Sequence, residues 1–169
     1  MAMQSGPAGE AIYMCFGNVA GEAKTTLPIS TSPASGGWIA LTSCSYGGSV
    51  SRPQLTAAPS EFEGEAQPVK VTKVTDASTI SLLREALMGN FKQPVVIVFV
   101  RTGEGPVAEY IRIEMENCGI TDFSMSGGED RQSESYEIRC GTMSITTWRF
   151  NGTTRGAQSV VTLSNEAGL

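Results

Sequence analysis

One segment, residues 76–90 (DASTISLLREALMGN), carries helical spacing in a chain otherwise written in strand periods. That contrast limits the fold to a sheet structure with a single helix laid on it. Ile80, Leu83 and Leu87 recur at helical intervals, and Leu82 and Ala86 widen the stripe. Ser78 is placed to cap the N-terminus, with its hydroxyl accepting a first-turn amide. Asp76, just upstream, suits the positive end of the helix dipole. Gly89 and Asn90 tolerate the left-handed backbone of a helix stop. The sequence therefore predicts a helix over about 78–89. So short a helix is marginal alone, whereas burial of each aliphatic adds about 1.5–3 kcal/mol. Nothing on the stripe titrates usefully, so the segment reads as a cover and not as a site.

The strands follow from alternation and from the turns between them. Residues 1–10 read as a loose tail. Residues 11–16 (AIYMCF) form a first strand, and residues 24–37 a Thr-, Ser-, Pro- and Gly-rich loop. A second strand runs over 38–46 (WIALTSCSY). Residues 51–68 carry Pro53, Pro59 and Pro68 with the alternate carboxylates Glu61, Glu63 and Glu65. That is long for a link inside a compact domain, and such loops are functional or disordered. Residues 69–75 (VKVTKVT) make a third strand that leads into the helix. Residues 94–101 (PVVIVFVR) are apolar without alternation, as in a strand buried on both faces, one by a second layer and the other by the helix. Residues 107–117 alternate, with Ile111, Ile113 and Met115 on one side and Tyr110, Arg112, Glu114 and Glu116 on the other. After a polar loop over 124–133, residues 134–150 form a long strand whose phase slips. Tyr136, Ile138 and Cys140 share a face, Met143 and Ile145 take over, and Gly141 marks a bend or bulge. Asn151-Gly152 turns the chain toward an edge strand over 159–163. No repeat or domain boundary divides the 169 residues, which fit one domain with a sizeable core.

The chemistry is sparse. Aromatics make up 7 % of the chain and there are 19 glycines, a composition of short strands and turns. The formal charge of −5 argues against nucleic-acid binding. No run is long and apolar enough to insert in a membrane, and residues 1–10 lack the features of a signal peptide. There is no histidine, the usual acid–base group at neutral pH. Gly103-Glu104-Gly105-Pro106-Val107-Ala108 matches a dinucleotide fingerprint. A strand follows where a helix must open, so the match reads as a hairpin turn. Glu114 and Glu116 share a strand face and read as solvated, not as a glycosidase pair. Asn151-Gly152-Thr153 fits a glycosylation acceptor with no lumenal context. Cys15, Cys44, Cys118 and Cys140 lack the paired spacing of zinc ligands. Their scatter over separate strands and a reducing cytosol predict free thiols. No catalytic residue, metal or cofactor is expected.

Several joints together resemble one family. Gly21-Glu22 follows strand one, Gly37-Trp38-Ile39 opens strand two, and Tyr46-Gly47 closes it. Asp76-Ala77-Ser78 precedes Leu82-Leu83 and Leu87-Met88-Gly89, and Cys140-Gly141 leads to Ile145 and Trp148. In this order they are similar to the haemolysin-coregulated proteins (Hcp), inner-tube proteins of the bacterial type VI secretion system. The similarity runs from about Ile12 to Phe150. The chain departs from the family at Ala23-Lys24-Thr25, where acidic and histidine residues are usual, and at Ser144, where a lysine is usual. The resemblance implies a mainly β fold, a small two-sheet β-barrel with the helix packed outside. It implies a non-enzymatic subunit, six copies to a ring, with stacked rings forming a tube that a contractile sheath expels. Sheath and spike proteins would be partners, and small effector proteins would ride in the lumen. The chain would be made in the bacterial cytoplasm and exported without a signal peptide. The loop at 51–68 would bridge stacked rings through Leu55, Glu61, Phe62, Glu63 and Glu65. A tail-tube subunit of a phage-like particle is the neighbouring reading, and a monomeric β-sandwich binding module the rival from another class.

Overall fold

The computed structural model describes residues 10–23, 37–51, 63–101, 108–152 and 154–164. The expected tail over 1–10, the loop over 24–37 and the hairpin turn read at 103–108 lie wholly or almost wholly outside these residues. The strands are β1 (Glu10–Phe16), β2 (Ile39–Leu41), β3 (Ser43–Ser45), β4 (Gly48–Ser51), β5 (Glu63–Ala66) and β6 (Val69–Val74). Helix α1 (Thr79–Met88) follows, and then β7 (Gln93–Arg101), β8 (Ala108–Ser126), β9 (Ser133–Arg139), β10 (Thr142–Asn151) and β11 (Thr154–Ser164). Every pairing is antiparallel.

Two sheets wrap one core, with β8 shared between them. Its first half pairs with β7 and β10, and its second half with β9. The ladder runs β2-β1-β7-β8-β9-β6-β3. Hydrogen bonds do not close the ring. Its two ends, β2 and β3, are instead joined through the chain at Thr42, whose N–H and Oγ1 both donate to Thr72 O at 2.7 and 3.0 Å. The predicted second strand is thus real but broken, because it passes from one sheet to the other at that residue.

The long strand predicted over 134–150 divides into β9 and β10 at Cys140-Gly141. One register nevertheless runs past the break: Ile120 faces Ile138, Gly119 faces Arg139, Glu116 faces Thr142 and Met115 faces Met143. Across the joint both strands change which parity points inward. Ile113, Met115, Cys118 and Ile120 are buried on β8, and Ile138, Cys140 and Met143 opposite. The adjustment centres on Asn117, at φ 54°, opposite Gly141, whose N–H reaches Glu116 O at 3.0 Å and Asn117 O at 3.3 Å. A paired phase change of this kind turns the corner of a barrel. It is Asn117, not Gly141, that takes the left-handed backbone. β8 itself continues to Ser126, into the stretch read as a polar loop.

Strand β7 is buried on both faces, as its composition predicts. Val95, Ile97 and Phe99 join the main core, while Val96, Val98 and Val100 pack with Cys15, Tyr13 and Trp38 outside it. The helix lies against β8 and not over β7. Only part of its predicted stripe is inside. Leu82 is fully buried, and Leu83 and Ala86 pack on the core. Ile80 is 65 % exposed and Leu87 73 %. Ser78 stands at the N-cap but does not accept an amide. Asp76 does that work, its Oδ1 accepting both the Ser78 N–H, at 2.8 Å, and the Ser78 hydroxyl. At the other end Gly89 is extended, and the positive φ falls on Phe91. Gly89 is required for space, since a Cβ there would collide with Glu85 O.

Candidate functional site

The motifs that are far apart in sequence meet at one joint. A Cβ on Gly21 would overlap the backbone of Trp38, so glycine lets the two segments touch. Ala23 N–H donates to Trp38 O at 3.0 Å. Glu22 Oε2 accepts the Ala77 N–H at 3.3 Å, which ties the first joint to the turn before the helix. Arg131 Nη2 donates to Thr75 O at 3.1 Å. Glu22, Ala23, Thr75 and Arg131 line a cleft of about 250 Å³ with Thr42 and Asp76. Each charged group there is engaged in holding the joint together.

Beneath the joint lies a buried polar cluster that the sequence reading did not single out. Lys73 and Glu134 face each other across β6 and β9, both side chains are fully buried, and Nζ lies 3.1 Å from Oε2. Lys73 also reaches Asp76 Oδ1 at 2.9 Å and Val74 O at 3.0 Å. Thr79 Oγ1 donates to Glu134 Oε2 at 2.8 Å, and the Tyr136 hydroxyl donates to Glu134 Oε1. Burial alone would raise the Glu134 carboxyl, but hydrogen bonds from Tyr136, Thr79 and Lys73 and the lysine charge outweigh it and hold it below its ordinary value. Asp76 is held down in the same way, by Lys73 and Ser78 against burial. Burial and the adjacent Glu134 carboxylate push the Tyr136 phenol up. The cluster is closed, and its two carboxyls are held toward the charged form. It fastens the helix start to the sheet and offers no group to a substrate.

The other chemical candidates resolve in the same direction. Glu114 accepts from Arg112 Nε at 2.7 Å and belongs to an ion-pair set with Glu109 and Arg155, not to a carboxylate pair. The fingerprint-like stretch connects β7 to β8, which pair as a hairpin from Arg101 and Ala108 inward, so a strand follows it. Among the described residues no group of three or more potential ligands could hold a metal, and none of the four cysteines is joined in a disulfide. Of the proposed stacking residues, Leu55, Glu61 and Phe62 lie outside the described residues. Glu63 and Glu65 belong to β5, which pairs with β4 so that Ser51 faces Glu63 and Ser49 faces Glu65. The segment read as one long loop therefore starts and ends as a two-stranded ribbon.

Several large apolar side chains are exposed. Ile80, Leu87 and Met88 stand out from the helix, Met88 at 75 % exposure, and Phe91 just after it is also exposed. On β11, Val160 and Val161 are both more than half exposed. Among the described residues that strand pairs only with β10, leaving its outer edge without a strand partner.

Residues 13–151 match the family model described as type VI secretion system effector, Hcp. The chain belongs to that family. No curated protein matches it in sequence, but solved structures do in fold. Hcp1 from Salmonella typhimurium superposes with a TM-score of 0.71 at 14 % identity, covering 94 % of this chain and 97 % of that one. A type VI secretion system effector from Yersinia pestis gives 0.63 at 14 %, covering 90 % and 98 %. The secreted protein Hcp3 from Pseudomonas aeruginosa gives 0.60 at 16 %, covering 92 % and 99 %. The joints at Gly21-Glu22, Gly37-Trp38-Ile39 and Asp76-Ala77-Ser78, which carry the resemblance to Hcp in sequence, are the segments brought together in space. Among the described residues no helix is long and apolar enough to cross a membrane.

Proposed function

We propose that this Hcp protein is an inner-tube subunit of a type VI secretion system and acts by assembly, not by catalysis. Six copies close into a ring, rings stack into a tube, and a contracting sheath expels it with small effector proteins in the lumen. The family match over residues 13–151 carries this reading. The surface agrees with it. Exposed Ile80, Leu87, Met88, Val160 and Val161 suit a chain that buries more area in an assembly than alone, and an unpaired strand edge suits a chain that meets others. Among the described residues the buried charges Lys73 and Glu134 are engaged with each other and with Asp76, Thr79 and Tyr136.

Size-exclusion chromatography with light scattering tests the ring directly. The expected mass is six times the 17.8 kDa chain, with annular particles in negative-stain images. A monomer at micromolar concentration would overturn the proposal and return the reading to a monomeric binding module.

A further inference from the structure

We propose that Cys118 and Cys140 are a redox pair that closes into a cross-strand disulfide at the barrel corner when the chain meets an oxidising small-molecule disulfide. The register makes them partners. Gly119 faces Arg139 on one side and Glu116 faces Thr142 on the other, so Cys118 stands directly opposite Cys140. The Gly141 N–H is shared between Glu116 O, at 3.0 Å, and Asn117 O, at 3.3 Å, which keeps the two strands in contact beside the pair. The phase change at the corner turns both inward, into the same core cluster. Their thiols are in hydrogen-bond contact.

The pair is asymmetric. The contact between the thiols together with burial pushes the Cys118 thiol up. Cys140 is also the more accessible of the two, at 5 % against 0 %. The Cys140 sulfur is therefore the one a reagent reaches first. Its thiolate attacks one sulfur of the small disulfide and releases one thiol. Cys118, giving up its proton, then attacks the mixed disulfide at the Cys140 sulfur and releases the second thiol. Two protein thiols are oxidised to one disulfide, and the reagent is reduced to two thiols. The other cysteines are set apart. Cys15 sits in the separate cluster with Val96, Val98 and Val100. Burial pushes the Cys44 thiol on β3 up to about 12. Because both reactive sulfurs are buried, the exchange proceeds during folding or when the corner opens, and the finished bond ties β8 to the β9–β10 joint. None of this depends on ring assembly.

The test uses the full chain refolded in graded mixtures of reduced and oxidised glutathione, quenched with acid, alkylated and mapped by mass spectrometry. The expected result is one disulfide joining Cys118 to Cys140, with Cys15 and Cys44 alkylated. The bond should raise the melting temperature by about 5 °C or more over the reduced chain, and dithiothreitol should reverse the shift. Cys44→Ser should oxidise in the same way. Four alkylated thiols in the most oxidising mixture would overturn the proposal. A bond that includes Cys15 or Cys44 would do so as well.

Discussion

Lys73 shows how much a single residue can decide. It lies on a strand whose Val69 and Val71 are buried, and the same parity carries its charge into the interior. A buried ion pair is weak grounds for stability when weighed against an apolar replacement, but removing one partner leaves an uncompensated charge. Lys73→Met should therefore lower the unfolding free energy by about 3–5 kcal/mol, read from urea titrations. Lys73→Met with Glu134→Gln should lose less than Lys73→Met alone. The carboxyls of Glu134 and Asp76 are held below their ordinary values in the folded chain. Their contribution is fully present above the unfolded carboxylate range and is lost as pH falls through the depressed folded values. The urea midpoint should hardly change between pH 7 and 5 from these groups and should fall below about pH 4. A midpoint equally sensitive on both sides of pH 4 would contradict this. Gly119 is decided by a neighbour, since a Cβ there would overlap the Phe91 ring. Gly119→Ala should cost about 1–3 kcal/mol, seen as a lower melting temperature. An unchanged one would mean that Phe91 moves aside freely.

At the scale of elements, helix α1 separates what periodicity says from what packing does. Its aliphatics have similar hydropathy, yet Leu82 is inside and Leu87 outside. Leu82→Ala should cost about 2–5 kcal/mol, whereas Leu87→Ser should remain within about 0.5 kcal/mol for the single chain. Denaturation below the assembly concentration measures both, and equal losses would show that Leu87 is covered within its own chain. The corner in β8 and β9–β10 was visible from one side only. The switch from Cys140 to Met143 disclosed a phase slip at Gly141, and the slip is there. Its partner at Asn117 was not read, because the stretch after Asn117 was assigned to no strand. Tyr110 was placed on the polar side of its strand, yet it meets Phe99 with ring centroids 6.3 Å apart. A register shift between Phe99 and Val100 breaks the alternation there.

For the whole molecule, the proposed tube requires a contact between one ring and the next. The segment between β4 and β5 is proposed to make that bridge. Replacing Leu55 to Glu65 with a short Gly-Ser link should leave single rings intact and abolish tubes, as judged by electron microscopy alongside light scattering. Tubes that still form would remove the segment from stacking, and loss of the ring would move it to the side-to-side contact. The sequence alone determined the mainly β class, the single helix, the edge strand at the C-terminal end and the joints that mark the family. Each of these rests on local signals, such as alternation, turn residues and spacing within about fifteen residues. Only the tertiary structure decided that Thr42 splits a strand between two sheets, that Lys73 meets Glu134, and that Cys118 faces Cys140. Those are pairings between segments up to 61 residues apart, set by register across strands. Register is a property of two segments together, and no single stretch of sequence contains it.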